Sequence, residues 1–105
     1  MSAIDEFFAL LETTEIVKYM MRSLREEPAQ LLSDICRGFE STGRPVPDHQ
    51  LHIGGYMGEA AIKALVSAGL VQREPGGIVS TYSYRPTEVG RKHWERLKAE
   101  GFLKR

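Results

Sequence analysis

The sequence predicts a mainly α-helical domain carrying a single small β-hairpin, and three observations carry that expectation. Apolar residues recur at helical spacing over most of the chain, as in Leu32, Ile35, Cys36 and Phe39. The run ALVSAG stops on Gly69, where glycine adopts the left-handed conformation that ends a helix. Two arms, LVQREP and IVSTYSYRP, then flank Gly76 and Gly77, the second rich in β-branched and aromatic residues.

In chain order, SAIDEFFALLE places Ile4, Phe7, Phe8 and Leu11 on one face, with Ser2 and Asp5 suited to a capping arrangement. TTEIVKYMMRSLREEP offers Thr13 or Thr14 as an N-cap and turns Ile16, Val17, Met20 and Leu24 to one side. Periodicity does not decide whether these two segments are one bent helix or two. PAQLLSDICRGF opens with a proline suited to a first helical turn. Residues 40–55 are rich in glycine and proline and read as a loop, with a short helical turn from Asp48. YMGEAAIKALVSAG turns Ile62, Leu65 and Val66 inward. After the hairpin, Thr87 caps a last helix that turns Val89, Trp94 and Leu97 to the core.

At 105 residues the chain suits one domain spanning 1–105, with residues 1–12 as a helical extension and 14–100 as the core and last helix. No apolar run reaches the roughly 18 residues of a spanning helix, and no secretory signal pattern opens the chain, so a cytoplasmic location without membrane contact is expected. Cys36 is the sole cysteine and sits in an apolar stripe, which excludes an internal disulfide and favours a buried thiol. Net charge is zero, yet residues 1–43 hold four basic and eight acidic side chains, and residues 44–105 ten and six. A polyanion would therefore approach the second part.

Three helices followed by a hairpin and a further helix pack most economically as a winged helix-turn-helix, with the hairpin along the edge of a three-helix core. ALVSAGLVQRE resembles the junction between recognition helix and wing in winged-helix regulators, and YRPTEVGRKHWERL resembles their return from wing to last helix, as in MarR-like and PadR-like proteins. The resemblance covers about residues 14–100. It implies sequence-specific binding of double-stranded DNA by a homodimer that regulates transcription, with one helix in the major groove.

Candidate DNA contacts are Tyr56 and Lys63 on the recognition helix, Arg73, Ser80, Thr81, Arg85 and Arg91 in and around the wing, and Arg44 and His52 in the long loop, where His49 is a further candidate. Gly58, Glu59, Ala60 and Ala61 stand where the regulators often carry serine, arginine or histidine. The small residues of this helix suit close approach to the preceding helix of the same chain, to a sugar-phosphate backbone or to a partner protein; the alternative function is an interaction module that no longer binds DNA and offers this smooth Gly/Ala face to a protein partner. Phe7, Phe8, Leu11 and Phe102 are the candidate dimer contacts. No nucleophile elbow, phosphate-cradling loop or paired histidines with a helical glutamate occurs, so neither an enzyme nor a cofactor is expected. His49 and His52 with Cys36 or His93 suggest a metal site only weakly, and none is expected.

Overall fold

The computed structural model describes residues 3–11, 27–51, 53, 55–77 and 80–101, with the backbone alone for Phe8, Leu11, Glu27, Gly55, Tyr56 and Met57. Helix α1 covers Ala3–Leu11, α2 Glu27–Thr42, α3 Gly55–Ser67 and α4 Glu88–Ala99. Strand β1 is Val46–Pro47, β2 Val71–Pro75 and β3 Tyr82–Pro86. A 3-10 turn at Asp48–Gln50 follows β1. The expected helix over residues 13–26 lies outside the described residues.

Helix α2 is the centre of the fold and touches α3, α4, β1 and β3. Its stripe of Leu32, Ile35 and Cys36 is fully buried and meets Leu65 of α3 and Leu97 of α4 in one core. Trp94 is buried as expected, and its indole N–H donates to Ser33 Oγ at 3.1 Å, so the polar edge of the ring carries no desolvation penalty. Burial pushes the Cys36 thiol up to about 12, with the Glu40 carboxylate adding in the same direction.

Helix α3 ends as its glycine foretells. Gly69 adopts φ +76°, its N–H donates to Val66 O at 3.1 Å, and the N–H of Leu70 reaches back to Leu65 O at 3.0 Å. That pair of bonds satisfies carbonyls the helix leaves open and drops Leu70 into the core. Thr87 then ties the other root of the hairpin to the same place. Its N–H donates to Leu70 O at 3.1 Å, its hydroxyl donates to Gly69 O at 2.6 Å and accepts from Gly90 N at 3.0 Å. The clasp leaves no room above α4, since a Cβ on Gly90 would stand 1.9 Å from Leu70 O.

The structure departs from expectation in three places and decides a fourth that the sequence leaves open. The loop after α2 contains a strand: β1 pairs antiparallel with β3, Val46 opposite Tyr84, so the hairpin becomes a three-stranded sheet in the order β1-β3-β2. Val89 is half exposed, because the inward face of α4 is set by Gly90, Trp94 and Leu97. Of the readings open for the small residues of α3, packing within the chain holds, since Gly58, Ala60, Ala61 and Ala64 are buried and offer no smooth outer face to a partner. Small side chains there let α3 lie close to its neighbours. Phe7 is fully buried in the core that α1 shares with its neighbours, which removes it from any contact with a second copy.

Candidate nucleic-acid interface

With its alanines inside, α3 presents Glu59, Lys63 and Ser67 outward, one helical turn apart along a single face. Ile62 and Val66 sit beside that face and close its base against the sheet. A groove of about 690 Å³ runs from the face to the hairpin, walled by Lys63 and Glu59 on one side, Arg73, Thr81 and Tyr82 on the other, and Asp48 and His49 at the end.

Strand parity puts Arg73 in this groove. Arg73 pairs with Tyr84 in the β2–β3 register, and Tyr84 points inward, 3% exposed. The guanidinium of Arg73 lies 4.5 Å from the centroid of the Tyr82 ring, a stack that holds the cation out along the groove. Burial raises the pKa of the Tyr84 phenol, partly opposed by the nearby Arg73 charge and by a side-chain hydrogen bond in which the phenol oxygen accepts from Arg73.

The 3-10 turn is fastened to the hairpin by two contacts. Tyr82 N–H donates to Asp48 Oδ2 at 3.2 Å, and the His49 ring nitrogen Nδ1 makes a close hydrogen bond with Ser80 Oγ. Ser80 is 8% exposed and its hydroxyl is engaged in that bond, whereas the neighbouring Thr81 is exposed.

The remaining basic candidates stand elsewhere. Arg85 follows Tyr84 and therefore projects from the opposite side of the sheet, where its Nε donates to Glu74 Oε2 at 3.1 Å and its guanidinium lies 5.6 Å from the Phe39 ring centroid. Arg91 is bonded to Glu40 at 3.3 Å. Both line a second groove of about 820 Å³ with Lys92 and Arg96, whose partners are Glu88 and Glu6. Arg44 is exposed at the turn after α2 and lines neither groove. Among the described residues, Lys63 and Arg73 take part in no ion pair, which sets them apart from Arg85 and Arg91.

The sequence candidates therefore divide. Lys63, Arg73 and Thr81 come together; Arg85 and Arg91 are a separate, carboxylate-paired set; Ser80 serves the hairpin. His52 and Phe102 lie outside the described residues, and the side chains of Tyr56, Phe8 and Leu11 are not described. The sequence already singles out Asp48 as the start of the turn and Glu59 as a departure from the regulators' pattern; that both line one groove with Lys63 and Arg73 depends on the fold. Among the described residues, no group of three His, Cys, Asp or Glu converges to hold a metal ion, and no helix is long and apolar enough to cross a membrane. Comparison with protein-family models, curated proteins and solved structures finds no match.

Proposed function

We propose that this chain is a winged-helix DNA-binding domain of a transcriptional regulator, with α3 as the reading helix and the β2–β3 hairpin as the wing. The order α2, β1, turn, α3, β2, β3, α4 and the sheet order β1-β3-β2 suit that fold, with the 3-10 turn at Asp48–Gln50 standing where a helix would precede the reading helix. The two junctions that resemble winged-helix regulators fall at the Gly69 stop and the Thr87 cap. One observation carries the reading: Lys63 from the helix and Arg73 from the wing face one groove, and neither is neutralised by a carboxylate bond. Cations so placed gain most from phosphates, which release counterions on contact. A homodimer is the assembly such regulators use, and with Phe7 inside, its contacts come from other residues.

Fluorescence-anisotropy titration with random duplex DNA at two salt concentrations tests the proposal. Binding is expected to weaken steeply as salt rises. Arg73→Ala should lower the salt slope by about one, since it removes one phosphate contact, whereas Lys63→Ala on the reading helix should relax sequence preference. Arg85→Ala should leave the slope unchanged, because Arg85 faces the other way and is held by Glu74. The second reading, a protein-binding module, is favoured by Asp48 and Glu59 in the groove and by zero net charge. Absence of DNA binding at low salt would overturn the first reading and favour this one.

A further inference from the structure

Glu59 stands at the wrong place for a surface that only grips phosphate. It is exposed, lies one turn before Lys63 on the outward face of α3, and takes part in no ion pair among the described residues. A Glu four residues ahead of a Lys is the favourable order for a helical pair, and Glu88 and Lys92 form one at 3.8 Å. Glu59 and Lys63 do not close on each other in this way, and both charges stand open to solvent on the groove.

Phosphate repels a carboxylate, so a glutamate on a DNA-facing helix gains most where it meets a hydrogen-bond donor on a base edge. The major groove offers two, the N4 amino group of cytosine and the N6 amino group of adenine. Adenine places its N7 acceptor beside N6, where it opposes a carboxylate; cytosine places a C–H there. Cytosine is therefore the better match. Lys63 lies about 6 Å further along the helix axis, at 1.5 Å per residue. That is roughly two base steps of 3.4 Å, and its ammonium suits the O6 and N7 acceptors of guanine.

We propose that Glu59 is a specificity-determining residue of this domain, its carboxylate accepting a hydrogen bond from a cytosine N4 amino group while Lys63 donates to a guanine about two base steps away. The proposal rests on the DNA-binding reading above and adds to it the composition of the site.

Selection of bound sequences from a randomised duplex pool, run in parallel with wild type, Glu59→Gln and Glu59→Ala, tests it. Wild-type selections should converge on a fixed cytosine, and replacing that base should weaken binding roughly tenfold. Glu59→Gln should change the preferred base to adenine, whose N6 and N7 a glutamine amide satisfies together. Glu59→Ala should lose the preference while binding random duplex at least as tightly as wild type. Because Glu59 is exposed, all three proteins should melt alike. Identical selected sequences from wild type and Glu59→Gln would overturn the role of Glu59 and leave the DNA-binding reading intact. A wild-type protein that binds no random duplex at low salt would overturn both.

Discussion

Cys36 and His93 show how burial decides what a reactive side chain is able to do. The Cys36 thiol is enclosed by the core and held at about 12, so it carries almost no thiolate near neutral pH. A thiol reagent at mildly alkaline pH should leave the folded protein unlabelled, with modification following the unfolding transition; rapid labelling of the native chain would show that the core opens locally. His93 is affected in the other direction. Its Nδ1 is buried without a hydrogen-bond partner, and burial, aided by the charge of Arg96 and opposed by that of Glu6, lowers its pKa below the ordinary 6.5. The unfolded chain then binds a proton more readily than the folded one. Stability is complete above about 6.5 and falls as pH drops from there through the lower folded value. Melting temperature measured from pH 7 downward should show that fall, and His93→Gln should make it shallower.

Among the elements, the Thr87 cap is the most exposed to a single substitution. Thr87→Ala removes the acceptor for Gly90 N and the donor to Gly69 O together, and should cost about 1–2 kcal/mol in chemical denaturation without altering the other helices. This cap, the Gly69 stop and the stripe of α2 were all readable beforehand, because each depends on residues near one another in the chain. β1 was not readable. Two residues before a proline-rich turn carry no periodicity, and what makes Val46 a strand residue is Tyr84, far along the sequence. The alanines of α3 were ambiguous for a different reason: alanine fits a helix equally well on its wet and its dry side, so only packing distinguishes them. The separation of Arg85 from Arg73 is a matter of parity. Once Tyr84 points inward, its neighbour must leave the other side of the sheet, and that much follows from alternation alone.

Seen as a whole, the molecule directs part of its charge asymmetry to its own closure. Acidic Glu6 and Glu40 from the first part bind Arg96 and Arg91 from the second, and the Ala3 N–H donates to Glu100 Oε2 at 2.7 Å. These contacts are at least partly solvated and each contributes little to stability. Their effect is on the outer field: they remove cations from the face of α4 and leave Lys63 and Arg73 as the accessible positive pair on the groove of α3. Among the described residues, the positive charge of the second part is thus divided between carboxylate-bonded cations on β3 and α4 and the pair Lys63 and Arg73 on the groove, with Arg44 exposed apart from both.

The clasp at Gly69, Leu70, Thr87 and Gly90 has a consequence for how this chain tolerates change. It closes the hairpin at its root, so the entry and exit of the excursion are set by the helices and are indifferent to what lies between. Residues inserted in the tip near Gly77 would lengthen a loop whose ends are already joined, at an entropic cost that grows only slowly with length. Variation in reach is thereby open to the tip, while the outward face of α3 keeps its orientation.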